Sequence, residues 1–328
     1  LTLGGSNRIG DQSAVTVASG ATFSLGTSSD TIGSLAGAGN VTLTSGALVA
    51  GQDNTSTSFG GVISGGGAFT KAGAGTLTLS GANTYTGATT VAAGTILLGA
   101  AERLSDSTAL TVQAGAAFNL NSYAETVATI AGGGSIELGA APASGITSIG
   151  NASSTFSGVL SGAGSLTKLG TGVLTLSGAS SYQGATTVNA GTLVAQSDSA
   201  LGDIAGGTSV ADGASLRLSN AAVGAEPLNL TGNGVAGAGA LIGDGVASVA
   251  GPVTLAGATR IGTVNAASSL TLGGTVDGGF ALSLAGAGPV VLNGPVGGLV
   301  PLASLTTSAT PVVLGGGGEG FLRQAEAG

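Results

Sequence analysis

The chain repeats itself. Phe59 to Leu97 returns as Phe156 to Val194, 97 positions on, with 25 of 39 residues identical. The upstream flanks match at an offset of 95: Thr16 to Leu25 aligns with Thr111 to Leu120, and Arg8-Ile9-Gly10-Asp11 with Arg103-Leu104-Ser105-Asp106. A third unit opens at Leu201-Gly202-Asp203, runs through Val210 to Leu216, and then diverges. Self-similarity at a fixed period marks an array of stacked units that share a continuous core. The sequence units fall near 3–97, 98–194 and a degenerate 195–328, and are expected to form one continuous domain over 1–328. The chain begins without Met inside a strand-like run, Leu1-Thr2-Leu3, as a piece of a longer array would.

Local patterning selects strands. Val41-Thr42-Leu43-Thr44, Thr76-Leu77-Thr78-Leu79, Leu174-Thr175-Leu176 and Ser269-Leu270-Thr271-Leu272 alternate aliphatic residues with hydroxyls, placing the two kinds on opposite faces of a strand. Gly pairs and Ser-Gly, Asn-Gly and Ala-Gly steps punctuate these runs as turns. No stretch carries helical periodicity with caps. Gly is 65 of 328 residues, but 42% of the chain is hydrophobic, so it can bury a core where a disordered chain could not. Short strands, apolar positions about 20 residues apart and frequent turns fit an all-β parallel β-helix, in which each coil stacks on the one before. A tandem of β-sandwich domains is the competitor. It would need a buried Trp or several core aromatics per domain, and the chain has no Trp and only ten Phe and Tyr residues.

Phe/Leu-Thr-Lys-x-Gly-x-Gly-x-Leu-Thr-Leu-Ser-Gly-x-x-x-Tyr-x-Gly-x-Thr-x-Val-x-x-Gly-x-Ile/Leu occupies Phe69 to Ile96 and Leu166 to Leu193. This motif resembles the passenger-associated transport repeat of bacterial autotransporters. The resemblance covers roughly residues 1–220 and is compositional beyond. It implies a right-handed parallel β-helix, exported through the outer membrane by a C-terminal translocator barrel and displayed at the cell surface or released. It makes a structural or adhesive stalk the expected function, with a host or matrix surface, or other copies of the chain, as partners. A filament subunit stacking end to end and a β-helix polysaccharide lyase are the alternatives. The charged tail Glu319 to Glu326 and the uncharged Leu1 end fit either stalk or filament.

The residues leave little room for catalysis. His and Cys are absent, which removes imidazole and thiol chemistry and the usual transition-metal ligands; no cofactor or metal is expected. Lys71 and Lys168 occupy one repeat position. A general base or substrate contact is one reading; a solvated charge at a coil edge, blunting sideways pairing, is the preferred one. Asp11, Asp106 and Asp203 recur in each unit and read as turn residues accepting backbone N–H groups. Asp198 and Asp203 are the nearest thing to a carboxylate pair. Tyr85 with Tyr182, Phe59 with Phe156, and Phe23 with Phe118 recur and suggest rings stacked internally from coil to coil. Tyr123 lacks an aromatic counterpart and is the candidate surface contact, such as a sugar platform.

Gly162 to Lys168 lacks the Gly before Lys and the following helix that a phosphate loop requires. Gly243-Asp244-Gly245 is a lone turn, without the repeat of a calcium-binding β-roll. A net charge of −8 with seven basic residues argues against nucleic acid. The uncharged run 278–318 is apolar, but Pro289, Pro295 and Pro301 interrupt any helix long enough to span a membrane.

Overall fold

Alternation is what buries the core. In Thr76–Leu79 the two leucines are buried while the threonines stay half-buried, and Val173–Leu176 and Ser269–Leu272 repeat that pattern. The computed structural model describes residues 1–308 and 311–315; the tail Glu319 to Glu326 lies outside the described residues. Among the described residues the protein is all-β apart from one 3-10 turn at Val235–Gly237. The ladders are parallel. A parallel neighbour can be reached only by a crossover, so each ladder step is one turn of a solenoid. Thr76 pairs with Thr95, 19 residues on, and Leu216 with Leu241, 25 on. The expected parallel β-helix is therefore the observed architecture. Two units are distinguished, Leu1–Ser165 and the chain from Leu166 onward.

In the first unit one sheet carries eight parallel strands from Ala14–Val17 to Val159–Ser161, with a six-stranded and a three-stranded sheet on other faces of the coils. Equivalent residues stack in register, so the core is a set of columns. Leu77, Ile96, Phe118, Ile136 and Leu160 form one such column, all at 2% exposure or less. Burying each such side chain is worth roughly 1.5–3 kcal/mol. A second column runs Leu48, Phe69, Thr89, Leu110, Ile130, with a hydroxyl among hydrocarbons. A third runs Ile32, Ala50, Lys71, Val91, Val112, and contains an ammonium.

The second unit keeps the same logic through the degenerate sequence. Leu174, Leu193, Leu216, Leu241, Ile261 and Leu284 form an unbroken aliphatic column. Lys168 heads a column continued by Val188, Val210 and Leu230, and Leu166 heads one continued by Thr186, Thr208 and Leu228. Val253–Thr263 is an 11-residue strand that pairs with both Leu228–Gly232 and Leu241–Asp244, with a register shift between Leu230 and Gly232. Among the described residues no helix is long and apolar enough to cross a membrane, which says nothing of β-barrels.

The coil corners explain the glycines of the motif. Gly94 has φ +62, and a Cβ there would sit 2.4 Å from Gly75 O and 2.5 Å from Gly73 O on the preceding coil. Gly191, its counterpart, has φ +67 and would meet Gly170 O and Gly172 O at 2.5 Å each. Only Gly satisfies both the backbone conformation and the spacing.

Candidate functional site

The repeat's lysines are inside the protein. Lys71 ends the strand Ala68–Lys71 on its inward face, at 1% exposure, and Lys168 ends Ser165–Lys168 at 2%. The solvated coil-edge position expected for both is corrected by this burial. The physical reason lies in the corner. Where the chain turns after the strand, its carbonyls leave the ladder and need donors. Lys71 Nζ donates to Ala72 O at 2.6 Å, to Gly73 O at 2.8 Å and, one coil on, to Ala93 O at 3.2 Å. Those three bonds use the whole donor capacity of an ammonium. Lys168 Nζ donates to Gly170 O and, at 3.4 Å, to Ala190 O. Burial lowers the pKa of both amines, and at Lys71 the charge of Asp53 opposes that shift.

The tyrosines act at the opposite end of the ladder, where the strands Thr89–Val91 and Thr186–Val188 begin. Tyr85 and Tyr182 are fully buried, and their hydroxyls bond the Oγ1 of Thr89 and Thr186, buried polar members of the core columns. Burial pushes both phenols well above their ordinary pKa. The expected coil-to-coil stacking of like rings is not what the recurrence reflects, because the copies lie several coils apart. Tyr85 instead meets Phe69, with centroids 6.3 Å apart and planes at 59°; Leu166 replaces that phenylalanine in the second copy. Phe59 pairs with Gly37, and Phe156 bridges to Gly132. Each ring also lies under a second glycine, Gly61 or Gly158, where a Cβ would meet its Cζ at 3.0 or 2.8 Å. The rings fill space left by glycines.

The recurring aspartates differ among themselves. Asp203 Oδ1 accepts from Ala205 N at 2.9 Å, a local turn bond. Asp11 and Asp106 are exposed. Asp198 Oδ1 accepts from Ala222 N at 2.7 Å, so its carboxylate and that of Asp203 are each bound to a separate backbone amide. Two other carboxylates do the work that recurrence suggested. Asp30 Oδ2 accepts from Arg8 N at 2.7 Å and Ile9 N at 3.4 Å; Glu125 accepts from Arg103 N and Leu104 N, both at 2.8 Å. Both are buried, and each clamps the loop one coil earlier. The signal was in the sequence: Asp30 and Glu125 are offset by 95, as are Arg8 and Arg103. Burial pushes Glu125 up to about 8, against the two amide bonds that favour its ionised form. Glu226, also pushed up by burial, accepts from Thr208 Oγ1 at 2.7 Å.

These buried groups are bound to the fold itself. An ammonium committed to three carbonyls has no lone pair to act as a base, and the buried carboxyls accept from backbone amides or a hydroxyl, although the buried Oδ1 of Asp30 has no partner among the described residues. Among the described residues no three of His, Cys, Asp or Glu gather as a metal site. Tyr123 is 37% exposed, as a surface contact requires.

A cleft on the second unit was not visible in the sequence. It encloses about 410 Å³ and is lined by Thr192, Arg217, Val235, Ile242, Arg260 and Val264 among others. The loop after Leu228–Gly232 overhangs it, held by buried Ser215, which accepts from Val235 N at 2.9 Å and donates to Gly239 O at 2.7 Å. Arg217 is oriented by Asp244, with Nε and Nη2 at 3.1 and 2.5 Å from one carboxylate oxygen. Arg260 Nε is buried, and among the described residues it has no acceptor.

The fold is a parallel β-solenoid, and two of its segments match a known repeat family. Residues 69–98 and 166–195 each match the passenger-associated-transport-repeat family, so the chain carries two copies of that repeat. It is also 38% identical over 148 residues to a protein named adhesin BmaC autotransporter, from Brucella suis biovar 1 (strain 1330). That alignment covers 45% of this chain and 4% of the relative, so the chain spans a small part of the relative's length. No solved structure matches the chain.

Proposed function

We propose that the chain is a non-enzymatic stalk segment of an autotransporter adhesin, extracellular or held at the bacterial surface, and that its three sequence units belong to one continuous β-helix over 1–328. The observation that supports this most is the burial of the repeat's own polar residues. Lys71, Tyr85 and Thr89, and their counterparts Lys168, Tyr182 and Thr186, face inward, the lysines bonding corner carbonyls and the tyrosines the threonines. A motif whose polar groups are turned inward builds scaffold. Stability in such an array grows coil by coil through nearest-neighbour contacts. A chain leaving a translocator barrel could therefore fold as it emerges, each coil templating the next. Adhesion to a host or matrix surface, or association between copies, would use the broad lateral faces, on which Tyr123 lies.

The test is export and adhesion in one experiment. The chain is joined to an outer-membrane translocator barrel in a Gram-negative host, and surface exposure is read by protease accessibility on intact cells. Display of a protease-resistant chain, with increased attachment of the cells to matrix-coated surfaces, is expected. Retention in the periplasm would overturn the passenger assignment, and display without attachment would leave the stalk role and remove the adhesive one.

A further inference from the structure

We propose that the cleft beneath the 233–239 loop is a binding site for a single acidic sugar residue, recognised through its carboxylate. Four observations carry this. First, the chain has seven basic residues, and two of them, Arg217 and Arg260, line this one cavity. Second, Arg260 lines the cavity, and its buried Nε has no partner among the described residues, although buried polar groups are normally paired. Its fork of parallel N–H groups matches a carboxylate bidentately. Third, Arg217 is held in place by Asp244, to which Ser219 Oγ also donates at 3.1 Å, so one cation is pre-positioned while the Nε of the other has no acceptor among the described residues. Fourth, the covering loop is fixed before any ligand arrives. Buried Ser215 pins it at both ends, Ala240 N bonds Arg260 O at 2.8 Å, and Ala236 is held at φ +51, a conformation that L residues rarely adopt.

Size and charge narrow the ligand class. About 410 Å³ lies within the range of small-ligand sites and accommodates one sugar ring rather than a folded partner. Val235, Ile242 and Val264 supply an apolar wall for the ligand's body. With Asp244 counted, the cleft carries roughly one net positive charge within a chain of net charge −8. That balance favours one carboxylate and repels an extended polyanion.

The experiment is an NMR or calorimetric titration of the full chain with glucuronic acid and N-acetylneuraminic acid. Glucose, acetate and inorganic phosphate are the comparison probes. Saturable binding of an acidic sugar is expected, at least about tenfold tighter than glucose or acetate. Arg260→Gln is expected to weaken it at least about tenfold, and Arg260→Lys, which keeps the charge and loses the fork, by less. Arg8→Gln, on the other unit, is expected to change nothing. Neither Arg260 variant should lower the melting temperature, because the replaced Nε has no acceptor among the described residues. Acetate or phosphate binding as tightly as the sugars would overturn the sugar assignment. Unaltered binding in Arg260→Gln, or no saturable binding of any acid, would overturn the site.

Discussion

Two kinds of cation sit in this protein, and they are treated in opposite ways. In the repeats, Lys71 and Lys168 are withdrawn from water and bound to corner carbonyls. In the degenerate region, Arg260 lines an open cleft with a buried nitrogen that bonds to nothing described. The lysines recur; the arginine does not. A charged group that recurs and has its hydrogen bonds filled belongs to the architecture. One that appears once, unfilled, at the wall of a cavity is placed to meet something else. The passenger-associated repeat thus provides the scaffold, and divergence from it after residue 216 provides room for a site.

The largest effect that sharpens this contrast is loss of a lysine. Lys71→Ala empties core volume and strands corner carbonyls, and is expected to destabilise its unit by about 3–5 kcal/mol. Lys168→Ala should act similarly in the second unit. Denaturant unfolding followed by circular dichroism checks both. A loss below about 1 kcal/mol for either would place the lysines with Arg260 instead.

Next is the pH dependence set by Glu125. Its carboxyl is pushed up to about 8 in the folded chain, against an ordinary value of 4.5. Between those values the folded state holds a proton that the unfolded state has released, so stability falls as pH rises, by at most about 1.4 kcal/mol per pH unit. Glu125→Gln should flatten that part of the profile, measured as midpoint denaturant concentration from pH 5 to pH 8. An unchanged slope in the variant would assign the pH dependence to other groups.

Smaller again is the tyrosine hydroxyl. Tyr85→Phe and Tyr182→Phe each leave a buried threonine Oγ1 without that partner and should cost about 1 kcal/mol, equal in the two copies within error. Thermal melts of the two variants compare them directly. Arg260→Gln is the smallest, with no loss of stability, and marks the other pole of the comparison.

The fold was legible because its determinants are periodic. The 97-residue recurrence and the alternation in Thr76–Leu79 are enough to give coils, parallel stacking and inward leucines. The lysines misled because their acceptors are backbone atoms. Nothing in the letters Lys-Ala-Gly-Ala-Gly shows that the corner presents Ala72 O and Gly73 O inward, so a lone charge beside a turn reads as solvated. The aspartates misled differently. Asp11 and Asp106 recur by identity, whereas the clamp at Asp30 and Glu125 recurs only by chemistry, as a carboxylate at the same offset. The cleft was illegible for a third reason. Arg217 and Arg260 are 43 positions apart, and they share a wall only because a long coil of 25 residues links Leu216 to Leu241 before one of 20 links Leu241 to Ile261. A strict 20-residue period gives the wrong register there.

Backbone hydrogen exchange, resolved coil by coil, tests most directly whether the buried lysines hold the corners while the cleft arginine does not. Protection should fall over residues 68–98 in Lys71→Met and over 165–195 in Lys168→Met, with no change anywhere in Arg260→Gln. Lysine variants that exchange as slowly as the parent chain, or an arginine variant that loosens its coils, would contradict that division.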